Sequence, residues 1–352
     1  MVALVSSLRP PKERFAGKAD PQSLVASWEG DESLDGRPAR FLTGVLTTPG
    51  CILAMSGGCS FCGYYNDTAM RVSPEQLRTQ FGSLLARRTD QRILKVYTSG
   101  SFFDPREVTP EIQVDLLRSA VDAGFSRIVV ESLPAFLTAP RLAAAAAVAP
   151  QLEIAIGLES AHPMVLEYAM NKGFSRRGFL AAALRVQAAG LRVRAYLLMK
   201  PAFLTEWQAI EDVVATAAVA APLAHTISIN PLNVQKATLN DRLFQRGVYR
   251  PPWLWSVIAA LQRIATAHPT VHLLSSPTAG GTPRGTHNCG RCDAAALATL
   301  RQACVTQDFA LLSQLHCPCQ QLWAQWLVQE RYGLGAGGLA PLERHLRALA
   351  QA

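Results

Sequence analysis

From residue 41 onward short apolar strands alternate with helices, and this rhythm restricts the chain to a parallel sheet covered by helices. Strands are expected at Phe41–Thr48, Ile93–Thr98, Arg127–Glu131, Leu152–Ile156, Leu191–Leu198 and Thr226–Ile229. Ser73-Pro74-Glu75-Gln76 offers a capping serine, proline at the first helical position and glutamine at the third, and starts a helix to Arg88. Thr109-Pro110 starts another, ending near Gly124. Pro140–Val148 is alanine-rich and expected to be buried, and Arg176–Ala189 is the next helix. A second capping box, Thr205–Gln208, opens a helix to Ala220. Crossovers of one hand turn six such units into a barrel or an open doubly wound sheet, and the pattern does not separate the two. Residues 1–40 are polar and proline-containing and read as an N-terminal arm with one helix over Ser23–Glu29.

Polar residues gather where the strands end: Cys51, Ser99, Ser101, Glu131, Glu159, Ser160, Lys200 and Asn230. In parallel α/β folds that edge binds ligands. Turn and capping chemistry explains one or two such strand ends well, but not six. The first carries Cys51, Cys59 and Cys62, with seven residues and then two between them. Gly57, Gly58 and Gly63 let the loop wrap closely around a bulky object. A structural zinc closes with four ligands, and an ordinary [4Fe–4S] electron carrier also takes four cysteines. Three thiolates leave one corner of a cubane open. A zinc loop that borrows a distant fourth ligand is the alternative.

The chain has 352 residues, 49% of them apolar, which is enough for one large domain and a small appendage. It has no run of eighteen apolar residues, and Met1–Ala16 lacks an apolar signal core, so a cytoplasmic protein with reduced thiols and no membrane partner is expected. A formal charge of +8 favours a polyanionic partner such as RNA. Arg71, Arg78, Arg87, Arg88 and Arg92 are either phosphate contacts or a solvated helix face.

Near the C-terminus, Cys289-x-x-Cys292 is followed by Cys317-x-Cys319, with twenty-four residues between the pairs. This spacing suits structural zinc first, then an auxiliary four-cysteine [4Fe–4S] cluster, then a redox dithiol. His287 and His316 could each replace a cysteine, and Cys304 is the spare, expected to be buried. Trp323, Trp326 and Arg331 could stack on unpaired bases, but at this helical spacing the tryptophans are expected in the core.

With its three-cysteine loop after the first strand, the chain resembles the radical S-adenosylmethionine (SAM) enzymes, whose fold is a partial (β/α)6 barrel. Their usual cysteine spacing is three then two. The wider first gap here resembles the Elongator catalytic-subunit branch. Within that branch the chain closely resembles the family of archaeosine synthase radical SAM subunits. The stretches that carry the likeness include Gly58-Cys59 to Cys62-Gly63-Tyr64, Thr98 to Phe102, Ile156 to Glu159, Asn171 to Phe174 and Tyr196 to Pro201. The segment from Asn230 to Lys236 and from Tyr249 to Ser256 is specific to the family. The likeness runs from about residue 35 to about residue 335.

The resemblance implies an α/β fold with an N-terminal arm (1–40), a partial barrel (41–270) and a cysteine-rich module with a helical tail (271–352). It implies a [4Fe–4S] cluster on Cys51, Cys59 and Cys62, with SAM on the open iron; zinc on Cys289, Cys292, Cys317 and Cys319 is expected from their spacing instead. Ser99, Gly100 and Ser101 would receive the methionine amino group, and Glu159 the ribose hydroxyls. Glu131, Tyr64 and Asn230 would complete the cofactor site. Lys172 and the catalytic candidate Lys200 would meet a carboxylate of SAM or substrate, or else serve internal ion pairs. Phe61 and Tyr64 would flank cluster or adenine, or pack in the core. The implied reaction is radical cleavage of a carbon–nitrogen bond in a lysine adduct of 7-cyano-7-deazaguanine in tRNA, a lyase-type step that leaves archaeosine. Asn233, Gln235, Lys236 and Arg250 would anchor the lysyl group. The implied partners are tRNA, a reductant protein and a tRNA lysine-transferase, archaeosine synthase alpha.

Overall fold

A computed structural model describes residues 2–8 and 19–332. Helix α1 (Val2–Leu8) precedes a hairpin of β1 (Ala26–Leu34) and β2 (Arg37–Val45). The short α2 (Ile52–Met55) lies in the cysteine loop. There follow α3 (Pro74–Leu85), β3 (Ile93–Tyr97), α4 (Pro110–Asp122), β4 (Arg127–Glu131), α5 (Ala139–Val148) and β5 (Leu152–Glu159). Next come α6 (Arg176–Ala188), β6 (Arg192–Met199), α7 (Glu206–Ala220), β7 (Thr226–Pro231), α8 (Leu239–Gln245), α9 (Leu254–Ala267) and β8 (His272–Leu274). Helices α10 (Asp293–Thr306) and α11 (Cys319–Tyr332) end the described chain. Both expected capping boxes form, at Ser73/Gln76 and Thr205/Gln208.

The strands make one sheet in sequence order, β1 to β8. β1 runs antiparallel to β2, and every later pair is parallel. The expected helix over Ser23–Glu29 is therefore corrected to a strand. The reason is local: Asp35 and Gly36, both with positive φ (51° and 79°), make a two-residue turn that reverses the chain and sets the register of nine paired residues. Helix α5 is also corrected. Only Leu142 and Ala145 are buried in it, so it is an amphipathic cover rather than a core helix.

The sheet is curled, and its inner-face charges show why. Along β1 the inward positions are Trp28, Gly30, Glu32 and Leu34. Arg194 of β6 reaches Glu32 at 2.6 Å and Glu153 of β5 at 3.1 Å, and Lys95 of β3 also pairs with Glu32. In a flat sheet β1 and β6 would stand about 24 Å apart, five steps of about 4.8 Å, far beyond side-chain reach. The sheet must therefore bend into a half-barrel for these partners to meet. Its convex face packs Leu42, Leu94, Val96, Ile128, Ile154, Val193 and Ile227 against the helices. Its concave face holds a separate apolar patch of Leu34, Ala39, Ile93, Val129 and Ala155 around the ions. Among the described residues no helix is long and apolar enough to cross a membrane.

Burial alone would raise the Glu32 carboxyl, but Arg194 and Lys95 outweigh it and hold the group well below its ordinary range. That stabilisation is present above the unfolded carboxyl's pKa, about 4.3, and is lost as pH falls below it. Arg194→Met, which removes the cation shared by two buried carboxylates, is expected to cost about 3–5 kcal/mol in urea unfolding at pH 7. Glu32→Gln should flatten the acid limb of the stability-versus-pH curve. An unchanged midpoint in the first variant would show that the ions do not hold the curl.

Candidate functional site

All the parallel strands point their C-terminal ends at one mouth of the half-barrel, and the cysteine loop lies across it. Gly57 and Gly58 take φ of 96° and 64°, which reverses the chain before Cys59. The loop is clamped by its surroundings. Asn171 Nδ2 donates to Gly58 O at 2.7 Å, Ser60 N to Met170 O at 2.9 Å and Leu239 N to Ser60 O at 2.9 Å. Gly63 N donates to Gln235 Oε1, and Tyr65 Oη to Ala237 O at 3.2 Å. Gly100 lies so close to the loop that a Cβ there would come within 2.6 Å of Cys51 Cα. The two loops share one carboxylate. Glu107 accepts from Thr48 Oγ1 at 2.6 Å and from Ser101 N at 2.7 Å, and burial pushes it up to about 7.

Inside the mouth, Lys172 Nζ lies 2.7 Å from Glu159 Oε1, 5.2 Å from the Phe174 ring centroid and 6.0 Å from that of Phe61. Burial opposes the Lys172 charge, but Glu159 and then Cys59 hold the ammonium above its ordinary range. Glu159 itself has φ of 63°, at a register shift where β5 leaves its ladder with β6. A Cβ on Gly157 would run into its Oε1, so a larger residue there would displace the carboxylate. Glu131 stands beside this pair; burial first, and then Glu159, push its carboxyl up to about 8. Below them the hydroxyls of Tyr97 and Tyr196 meet at 3.1 Å, above the ionic floor of Glu32, Lys95 and Arg194.

A second site lies in the C-terminal region. Cys289, Cys292, Cys317 and Cys319 bring their sulfurs within 4.8 Å of one another, with pairs at 3.9, 3.7 and 3.6 Å. A tetrahedral ion with metal–sulfur bonds of about 2.3 Å requires about 3.8 Å between sulfurs, so the four thiols fit one ion. Two N–H groups already point at these sulfurs, Trp255 Nε1 to Cys319 at 3.2 Å and Asn288 Nδ2 to Cys292 at 3.4 Å. Such donors orient metal ligands. Neither His287 nor His316 joins the group; His287 Nδ1 faces Gly285 O at 2.8 Å.

The sequence matches no family model. It is 37% identical over 331 residues to the archaeosine synthase subunit beta of Methanosarcina acetivorans, across 92% of this chain and 96% of that protein. The chain belongs to the archaeosine synthase subunit beta family. The subunit of that name from Thermococcus kodakarensis is 31% identical over 311 residues, 86% of this chain and 96% of that one. Among solved structures, methylornithine synthase superposes with a TM-score of 0.49 at 16% identity, over 68% of this chain and 65% of that one.

In this member of the archaeosine synthase subunit beta family, the mouth brings together Cys51, Cys59, Cys62, Tyr64, Ser99, Gly100, Ser101, Glu131, Glu159 and Lys172. Ser101 Oγ accepts from Leu133 N at 2.9 Å, and Asn230 Oδ1 accepts from Ser228 Oγ at 3.0 Å. Gln235 is committed to Gly63, while Asn233 is half-buried and Lys236 exposed. Two candidates are spent elsewhere. Lys200 pairs with buried Glu206, which also accepts from Trp253 N at 2.6 Å. Arg250 donates to His287 O at 2.8 Å and lies over the Trp253 ring, so it joins the family-specific segment to the cysteine module. Arg78, Arg88 and Arg92 bond to Asp115, Gly124 and Ser126, and Arg87 to Ser27. Cys304 is buried in the core as expected. Trp323 is half-buried and donates to Ser256 Oγ at 2.8 Å, but Trp326 is 55% exposed. That expectation is corrected because α11 is an outer helix with one packed side. Glu107, Trp28, Tyr97, Tyr196 and Glu206 were not among the expected site residues. The signal for the tyrosines was available: each stands two residues beyond a charge (Lys95, Arg194) on the same strand face.

One divalent ion per chain is expected by elemental analysis of aerobically purified protein, and it should survive replacement of Cys51, Cys59 and Cys62 by alanine. Cys289→Ser with Cys317→Ser should remove it. Retention of the ion in that double variant would place it elsewhere.

Proposed function

We propose that this chain is a radical SAM enzyme of tRNA modification. It would convert a lysine adduct of 7-cyano-7-deazaguanine in tRNA to archaeosine by cleaving a carbon–nitrogen bond. The cysteine inventory carries the reading. All eight cysteines are accounted for: three at the mouth, four in the C-terminal cage and Cys304 in the core, where it lies 3.8 Å from Ser275 O. No thiol is left to close a fourth corner in the mouth, which is what a [4Fe–4S] cluster that must bind SAM requires. The mouth fits such a group through its half-buried thiols and its left-handed Gly57-Gly58 bend. Zinc suits the cage on geometry and ligand type.

Cys51, Cys59 and Cys62 would hold the cluster, with Tyr64 at its edge. The backbone of Ser99, Gly100 and Ser101 would receive the methionine amino group. Glu159, with only Oε1 engaged by Lys172, keeps Oε2 for the ribose hydroxyls, and Lys172 is placed for the methionine carboxylate. Glu131 and Asn230 would complete that shell. When bound, cluster and SAM supply a 5′-deoxyadenosyl radical, able to take hydrogen from an unactivated lysyl carbon. The rest is positioning and the exclusion of water. Asn233 and Lys236 remain available to anchor the lysyl amino and carboxylate groups, while Gln235, Arg250 and Lys200 support the site from behind. The base must leave the tRNA stack before it can enter. A lysine-transferase subunit, archaeosine synthase alpha, would supply the adduct, and a cytoplasmic reductant protein the electron. The names of the two relatives, both subunit beta, support this reading.

The test is anaerobic reconstitution, giving a brown protein that absorbs near about 400 nm. Incubation with SAM, dithionite and lysine-adduct tRNA should yield archaeosine and 5′-deoxyadenosine by mass spectrometry. Cys59→Ala should abolish both products, and Glu159→Gln should raise the KM for SAM about tenfold, the loss of one charged hydrogen bond. Turnover of the free nucleoside or of DNA in place of tRNA would redirect the substrate assignment, and a lone zinc ion in the mouth would end the radical mechanism.

A further inference from the structure

One tryptophan faces the concave side of the half-barrel and is nonetheless open. Trp28 lies on β1, the edge strand of the sheet, opposite Thr43 of β2. Its face is fixed by its neighbours at two-residue steps. A Cβ on Gly30 would come within 2.7 Å of the Phe41 ring, and Glu32 pairs with Lys95 and Arg194 in the floor of the lumen. Trp28 therefore points into the same chamber, two such steps nearer the mouth than Glu32. Its ring lies 6.4 Å from that of Tyr97, inclined by 43°, and Tyr97 is tied through its hydroxyl to Tyr196. Glu131 acts on both tyrosines, so the aromatic group borders the cofactor side of the mouth. Yet Trp28 is 46% exposed, and among the described residues its indole N–H has no hydrogen-bond partner. A large, half-exposed ring beside a pair of tyrosines, above an ionic floor, can receive another flat ring.

We infer that Trp28, backed by Tyr97 and Tyr196, is the stacking face on which the extruded heteroaromatic base of the substrate is held. This rests on the proposed function for the identity of the base. Tyr97 and Tyr196 fix the depth and tilt of the platform, and the floor of Glu32, Lys95 and Arg194 stops the base from entering further. The bare indole N–H supplies one donor for an acceptor on the base or its ribose. Aromatic stacking of a base is worth about a ten- to hundredfold change in affinity.

Two measurements test it. In turnover of lysine-adduct tRNA, Trp28→Ala should raise KM about ten- to hundredfold with a smaller effect on kcat, and Trp28→Phe should restore most of the loss. In a fluorescence titration with 7-deazaguanosine, wild-type protein should be quenched and Trp28→Phe should lose that quenching. An unchanged KM in Trp28→Ala, or quenching that survives in Trp28→Phe, overturns the inference. So does quenching by SAM alone that disappears in Trp28→Phe, since the face would then belong to the cofactor. If wild-type protein does not turn over the tRNA at all, the proposed reaction fails, and the titration still decides whether Trp28 binds a base.

Discussion

The contact between Arg194 and Glu32 depends on the shape of the whole sheet, and the shape depends on it. A flat eight-stranded sheet would leave both charges on one exposed face, each in water and without its partner. Curling removes that face from solvent, which is costly for every charge on it unless the charges meet. They meet with near-complete pairing: Glu32 takes Arg194 and Lys95, and Glu153 takes Arg194 and, at 3.6 Å, Arg127. The result is a lumen with a solid base, so anything bound in it is held near the strand ends. Placing polar strand-end residues above such a base keeps the chemistry at the mouth and shields it from below.

Much of the mouth was legible in the sequence because its parts are local. The capping boxes at Ser73 and Thr205, the cysteine spacing and the polar residues that end each strand need no long-range information to be read. The shape of the sheet was not legible in the same way, since strand rhythm suits a barrel and an open sheet equally. The signal that separates them was present but faint. Lys95, Glu153 and Arg194 interrupt strands that are otherwise apolar, and a charge in the middle of a buried parallel strand needs a partner that only a curved sheet can bring. The hairpin was missed because residues 26–34 carry many charges and resemble a solvated segment. Asp35-Gly36 was the clue, a pair that turns the chain between two strands. Trp326 and α5 were misplaced for one shared reason: periodic apolar residues show that a helix has a packing side, but not how deep that side sits.

The two metal-suited sites differ in how they are held, and the difference matches what each can do. The mouth cysteines sit on a glycine-bent loop pinned by contacts from three separate segments, near 98–101, 169–172 and 235–239. Such a loop can be held open in a fixed form while one coordination position is left to a ligand. The C-terminal cage is closed by two chain segments and oriented by Trp255 and Asn288. It reaches the barrel through Arg250 and through the Trp253–Glu206–Lys200 chain at the end of β6. Lys200, buried at the end of β6 with a left-handed backbone (φ of 61°), thereby ties that strand end to the segment that reaches the cage.

The sheet's sequential order lets each strand dock on the one made just before it, with a single exception in time. Glu32 is separated from Arg194 by 162 positions along the chain. At ribosomal rates of about 5–20 residues per second that is a wait of about 8–30 seconds. The first strand to be synthesised thus pairs early with β2 but gains its last ionic partner only when β6 arrives. Until then its carboxylate has at most Lys95 for a partner, and the nascent half-barrel has walls before its floor is complete.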